Sequence, residues 1–302
     1  ELEIGFETAL FDGPVSADFT YYTQSTTDAR VEVQEAPSFG TEEGTLRNIG
    51  ETENKGTETI LNIVAMRTDN IEWSFNTSYS TNRSKVLSLG PLESAGFEIR
   101  TGYAIGVEYD NGVMNPSEVG VLPEFEPQVL GVAFPQRLFA LGTRFTWNQS
   151  LTFDVLAEGQ TGHFRTAGIG WATTRRGTWP MCYGIQNEFL ANGITNLTAM
   201  QLATCHRQYS SWGAWTDQAD FIKLRSASIS YRLPENLIPA TRSASVSLQA
   251  KNLFTWTKYQ GLDPEATDRG NTGGFGQGSE YFSEYYNAAP PRVFILNFTV
   301  NF

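Results

Sequence analysis

Apolar and polar residues alternate with period two through most of the chain. The final segment sets Phe294, Leu296, Phe298, Val300 and Phe302 on one face, with Asn297, Thr299 and Asn301 on the other. Such alternation marks a strand, whose successive side chains point to opposite faces. In IEWSFNTSYS, Ile71, Trp73, Phe75 and Tyr79 oppose Glu72, Ser74, Asn76, Ser78 and Ser80. FALGTRFTW, LTFDVLAEG and ASVSLQAK repeat the pattern, as do the first two segments, with Leu2, Ile4 and Phe6 and then Val15, Ala17, Phe19 and Tyr21 on the apolar side. TETILNIVAMR is less regular, because both its faces are fairly apolar. Turn residues such as Asp12-Gly13-Pro14 and Asp69-Asn70 punctuate the runs, so the chain is predicted to be all-β.

The connections carry further information. Short turns are predicted near 11–14, 68–70 and 148–150 and a medium one at 234–243, whereas long stretches fill 27–56, 83–136, 160–218 and 257–290. Long connections at one end and short ones at the other are the plan of an antiparallel up-and-down transmembrane β-barrel, with periplasmic turns and extracellular loops. Strands beginning at 2, 15, 58, 71, 138, 151, 221, 244 and 292 alternate consistently in direction. FEIRTGYAIGVEYDNGV then belongs to an outer loop or adds an even number of strands, giving nine barrel strands or eleven. Lys223 and Arg225 alternate with Ile229, Tyr231 and Leu233 on one face. A cation at the bilayer midplane costs roughly 2–4 kcal/mol, so both are expected at the outer end of their strand, above the hydrocarbon. Tyr231 is expected at the inner interface and Trp256 at the outer one.

Composition agrees with this plan. No run approaches the roughly 18 to 20 apolar residues of a membrane helix, while aromatics reach 13% and charged residues only 18%. A net charge of −12 argues against a nucleic-acid partner, whose phosphates would be repelled. Glu1 opens directly on a strand, with no signal peptide visible.

Several segments resemble one family. ADFIKLRSASISYRLPENL, then ASVSLQAKNLFTWTKYQGLDPEA, then a terminal strand ending in Phe are similar to the end of SusC/RagA-type TonB-dependent outer-membrane transporters. NIGETENKGTETILNIVAMRTDNIEWSFNTSYSTNRSKVLSL and GVAFPQRLFALGTRFTWNQSLTFDVLAEGQTG resemble earlier strand pairs of that family, in the same order. The resemblance implies that residues 1–302 are the C-terminal portion of a barrel of about 22 strands, with the plug domain and N-terminal strands absent. It also implies a bacterial outer-membrane location, contact with outer-membrane lipid, and energised import of oligosaccharides or peptides. The implied partners are a SusD-like lipoprotein lid, the TonB–ExbB–ExbD complex acting through the missing N-terminal part, and the barrel-assembly machinery. Phe298, Val300 and Phe302 resemble the terminal signal read by that machinery.

No enzyme signature competes with this reading. The two histidines, His163 and His206, lack metal-ligand partners at close spacing, and neither a nucleophile elbow nor a Walker loop occurs. No cofactor is expected, apart from a calcium ion that Asp263, Glu265 and Asp268 could hold, the alternative being solvated loop carboxylates. Cys182 and Cys205 are either a loop disulfide or two unrelated thiols. The predicted outer loops are rich in aromatic residues. Trp212, Trp215, Tyr281 and Tyr285 are the candidate ligand-binding residues, the alternative being that these rings pack the loops together. Two rival readings are a small outer-membrane barrel enzyme, which needs a catalytic cluster the sequence does not offer, and a secreted β-sandwich adhesin or carbohydrate-binding protein.

Overall fold

The structure, a computed structural model, describes residues 1–33, 45–95, 99–234, 237–239, 241–266, 284 and 289–302. In chain order the strands are β1 (Leu2–Leu10), β2 (Val15–Val33), β3 (Thr45–Arg67), β4 (Ile71–Ser88), β5 (Ser94–Ala95), β6 (Ile99–Arg100), β7 (Val107–Val113), β8 (Phe125–Val132), β9 (Arg137–Trp147), β10 (Leu151–Thr161) and β11 (Phe164–Thr166). Three short helices follow, α1 (Gly168–Thr174), α2 (Tyr183–Asn192) and α3 (Ala199–Cys205), then β12 (Thr216–Gln218), β13 (Phe221–Arg232), β14 (Ser243–Thr257) and β15 (Val293–Asn301). No helix among the described residues is long and apolar enough to cross a membrane.

Nine strands form one antiparallel meander in the order β1-β2-β3-β4-β9-β10-β13-β14-β15. The register lines the apolar positions into transverse rows. Trp73, Phe145, Phe153, Ile229, Leu248 and Leu296 make one row, and Ile71, Trp147, Leu151, Tyr231, Val246 and Phe298 the row below it. These rows stay open: Phe294, Leu296 and Phe298 are 67%, 73% and 60% exposed. No second sheet among the described residues covers them, as a sandwich would require. The opposite face is polar, with Asn62 Nδ2 donating to Ser16 Oγ at 3.2 Å, Asn76 Nδ2 to Asn62 Oδ1 at 2.5 Å and Arg144 Nε to Asp154 Oδ1 at 2.6 Å.

All short connections lie at one end. Asn148 and Gln149 close the β9–β10 hairpin with both φ angles positive, 48° and 55°, and Ser150 N donates to Trp147 O at 3.1 Å. Three residues, Asn148 to Ser150, separate the paired Trp147 and Leu151, and positive φ at the first two gives the turn a twist that matches its strands.

Two expectations need correction, and one choice is settled. The stretch 27–56 is largely strand, because β2, β3 and β4 run 19, 23 and 18 residues. Beyond the apolar rows no lipid imposes a two-sided pattern, and among the described residues only Val31, Val86 and Leu89, with Ile49 packed against them, form a buried cluster there, so alternation disappears while pairing continues. Of the two placements expected for FEIRTGYAIGVEYDNGV, the outer loop holds: its described residues enter the small β5–β6 and β7–β8 ribbons, and the wall keeps nine strands. Lys223 and Arg225 do not share a face with Ile229, since Arg225 is a bulge. Leu224 opposes Ala157 and Ser226 opposes Leu156, leaving Arg225 unpaired. One inserted residue reverses the alternation, so Ile222 and Leu224 face outward and Lys223 lies opposite Glu158 on the polar face. A similar shift between Val64 and Met66 brings Ile63 and Met66 onto one face and explains the irregular pattern there.

Candidate functional site

At the long-loop end the wall carries a folded outer unit. β11 and β12 pair as a short ribbon above β10 and β13, and the segment between them folds into α1, α2 and α3. Thr198 starts α3 with a capping box: its Oγ1 accepts from Gln201 N at 3.1 Å, and Gln201 Oε1 accepts from Thr198 N at 2.9 Å. Such reciprocal capping stabilises a helix too short to persist alone. Cys182 and Cys205 are joined in a disulfide across 23 residues, tying the turn before α2 to the end of α3.

The rings sort into two groups. Trp179 and Trp215 belong to a buried cluster with Ala167, the disulfide, Ala219 and Tyr259. Trp215 is 2% exposed, and its ring covers Gly170, where a Cβ would collide with it. Trp215 is therefore a core residue and is closed to a ligand, a correction of its expected role. Trp212 is half-buried, meeting Trp171 edge-on at 5.2 Å, and the exposed Arg175 lies 4.8 Å over the Trp171 ring. Tyr281, Tyr285 and Asp268 lie outside the described residues.

Beneath this unit, the polar face of the wall holds a charge network. Lys223 Nζ donates to Asp263 Oδ1 and Oδ2 at 2.7 and 2.9 Å and to Glu265 Oε2 at 2.9 Å. Arg225 reaches Glu158 through Nε at 2.6 Å and grips both oxygens of Glu265. Glu284 receives the backbone N–H of Leu262 at 2.9 Å and of Asp263 at 3.0 Å. Gly261 is required for this approach, because a Cβ there would strike the Tyr259 ring and the Glu284 carboxylate. The GLDPE run is thus a clamp that fastens the loop after β14 to β13. The clamp engages Asp263 and Glu265, the two described residues of the calcium expectation, with Lys223 and Arg225. No group of three or more potential metal ligands occurs among the described residues.

Buried titratable groups lie within the unit and where it meets the wall. Glu108 on β7 is 7% exposed and accepts from Thr166 Oγ1 at 2.6 Å. Burial pushes its carboxyl up to about 7, against the hydrogen bonds from Thr166 and Thr216. His163 is fully buried against Phe221, and burial, with the neighbouring Arg165 guanidinium, lowers it to about 4. Burial also raises Glu265, but the hydrogen bonds from Arg225 and Lys223 prevail and hold it at about 2. Glu108, Arg165 and Glu284 went unrecognised in the sequence, where nothing distinguishes a buried acid or base from a solvated one.

Two clefts open on this architecture. One, of about 320 Å³, lies between the outer ends of β13 and β14, walled by Lys223, Asn252, Thr255, Thr257, Asp263 and Arg292. The other, of about 420 Å³, lies lower on the wall, around Ser16, Asn62, Asn76, Arg144 and Asp154.

A meander with an open apolar outer face, a polar inner face, tight turns at one end and a folded unit at the other is the wall of an outer-membrane-type β-barrel. Comparison with known proteins narrows the class. The chain is 23% identical to TonB-dependent receptor P26 of Formosa agariphila over its whole length and 34% of that protein. It is 26% identical to TonB-dependent receptor P3 of the same organism, over 89% of the chain and 30% of that protein. Among solved structures, the RagAB peptide importer in its closed-closed state superposes over 99% of the chain and 35% of the matched chain, with TM-score 0.67 and 16% identity. The RagAB peptide transporter superposes over 99% and 34%, with TM-score 0.69 and 15% identity. No family model matches. The chain spans about a third of the length of the relatives it matches, and it resembles part of the barrel of a TonB-dependent receptor in sequence and in fold.

Proposed function

We propose that this chain supplies the C-terminal barrel wall and outer loops of an outer-membrane transporter that imports oligosaccharides, or alternatively peptides, with energy from TonB–ExbB–ExbD. A SusD-like lipoprotein closes the outer side. The observation that carries the reading is the pairing of an exposed apolar outer face with a folded, aromatic-rich outer unit clamped to the polar face. The first suits lipid, and the second, with the half-buried Trp212 edge-on to Trp171 beside Arg175, supports a ligand-binding role for these residues. Indole faces stack on sugar rings, and the adjacent guanidinium offers donors to hydroxyls or to a peptide carboxylate. The neighbours' description as peptide importers favours the peptide alternative. Phe298, Val300 and Phe302 serve as the terminal signal for barrel assembly.

Uptake separates these ligands. Cells lacking the protein are expected to lose growth on a particular oligosaccharide or peptide mixture while growing normally on monosaccharides and free amino acids. Trp212→Ala is expected to lower ligand affinity with normal surface levels, and a lipoprotein is expected to co-purify. Undiminished growth of the deletion strain on every oligosaccharide and peptide source would sink the import reading.

A further inference from the structure

Above the aromatic rows, the outward face of the wall carries a patch of opposite character. Lys55 on β3 lies directly opposite Arg83 on β4, and Lys85 stands two residues further out on the same face, opposite Glu53. Arg137 on β9 lies opposite Thr81, one row below Arg83. All four cations are exposed. Lys55 pairs with Glu53 at 2.8 Å, whereas Arg83, Lys85 and Arg137 have no acidic partner among the described residues. Like charges directly opposite on an antiparallel pair are destabilising. Four cations together in a chain of net charge −12 therefore call for an anion from outside the chain.

Depth identifies that anion. Arg83 lies 83 − 71 = 12 residues along β4 from Ile71, whose row with Trp147 and Tyr231 sits at the short-turn end. At about 3.4 Å per residue and a strand tilt of about 40°, this spans about 30 Å, the thickness of the hydrocarbon core. The cations thus stand at the level of the outer headgroups, with Tyr79 beneath them and Tyr21 in the row of Arg137 on the same face.

We propose that Lys55, Arg83 and Arg137, with Lys85 above them, bind the phosphate groups of an outer-leaflet lipid headgroup. Guanidinium groups match phosphate with paired hydrogen bonds. The apolar rows directly below seat the acyl chains, which favours a lipid over a free phosphate ion. The site goes beyond the import function and requires only that the apolar face meets lipid.

Native mass spectrometry of the protein released from detergent tests this, with bisphosphorylated lipid A as probe. Lipid A is expected to be retained at least tenfold better than its dephosphorylated form and to resist displacement by inorganic phosphate. The K55Q/R83Q/R137Q variant is expected to lose at least tenfold in retention, whereas R144Q, on the opposite face, retains fully. Equal retention by the triple variant would mean that acyl chains alone hold the lipid, and displacement by equimolar inorganic phosphate would mean a free-anion site. Either overturns the proposal. Should the triple variant fail to fold, R83Q alone is expected to lose about threefold in retention and, relieved of repulsion from Lys55, to melt higher in lipid-free detergent. Unchanged retention by R83Q likewise refutes the site.

Discussion

The wall and the outer unit put their large apolar residues to opposite uses. In the wall, Leu141, Phe254 and Leu296 are 49%, 53% and 73% exposed. Ladder hydrogen bonds hold the strands together, and the side chains match a solvent of hydrocarbon. In the outer unit, Trp215 and Leu202 are buried at 2% and 0% beside a disulfide, and Lys223, Arg165 and Glu284, at the junction, are 4%, 4% and 1% exposed. There the chain makes its own dry interior and carries charges into it. A substitution therefore acts through lipid in one region and through buried contacts in the other.

The largest effect is expected where charge is buried. Lys223→Met leaves the Asp263 carboxylate, 5% exposed, without its ammonium partner, and should cost about 4 kcal/mol. The double variant Lys223→Met/Asp263→Leu should recover most of this, since a buried ion pair is worth little more than a packed apolar pair. Thermal unfolding, read as protease cleavage within 163–219, measures both. A double variant as unstable as the single one would show that Glu265 and Glu284 depend on the ammonium as well.

Next comes the wall. Leu141 belongs to the row Thr77, Leu141, Ala157, Leu224 and Phe254, six residues above the Ile71 row along β4 and so near the midplane. Leu141→Arg should cost about 3 kcal/mol in a bilayer and much less in micelles, which deform around a cation. Unfolding in the two media gives the comparison. Equal cost in both would mean that protein, and not lipid, covers this face.

The third effect is gradual and confined to the outer unit. Glu108 titrates near 7 when folded and near 4.5 when unfolded. Its contribution is complete below the unfolded value and is lost as pH rises through the folded one. His163, lowered to about 4, acts in the opposite direction: its contribution is present above about 6.5 and is lost as pH falls toward 4. The two slopes oppose each other between about 4.5 and 6.5. Glu108→Gln removes one of them, so relative to the unaltered protein the variant's outer unit should gain on the order of 2 kcal/mol from pH 4.5 to 7. Parallel pH profiles for the two proteins would exclude Glu108 as the titrating group.

The two regions also differ in how far the amino-acid pattern discloses them. Period-two alternation places nearly every wall strand, because lipid and lumen impose a simple two-sided code. It fails at Arg225, yet the trace is present: Ile222 and Leu224 are apolar at even positions, and Ala227, Ile229 and Tyr231 at odd ones. That change of phase marks the bulge. Alternation also fails along Ser25–Val33 and Thr45–Asn54, where strands stand clear of the membrane and bury only scattered residues such as Val31, with Ile49 packed against it. The outer unit has no such code. Its cohesion depends on pairs remote in sequence, such as Trp215 with Gly170, Glu108 with Thr166 and Lys223 with Asp263. The pairing of Cys182 with Cys205 stays open until the fold brings them together. Trp212 and Trp215 look alike in the sequence, and only packing separates the half-buried ring from the core one.

The smallest effect tests whether position, and not pairing, sets the importance of a charge. Arg144 and Asp154 meet at 2.6 Å on the polar face of the wall, closer than Lys223 and Asp263 at 2.7 Å, yet their side chains are 67% and 35% exposed against 5% and 6%. Geometry alone would rank the wall pair higher. Solvent screening reverses the order, since an exposed pair contributes about 0–1 kcal/mol and fades with salt. Arg144→Gln should therefore change the melting temperature by no more than a degree or two, and less at 1 M salt than at 0.05 M. If it destabilises the protein as much as Lys223→Met does, the polar face at that level is enclosed in the assembled protein. The 420 Å³ cleft beside it would then be an interior surface of the barrel.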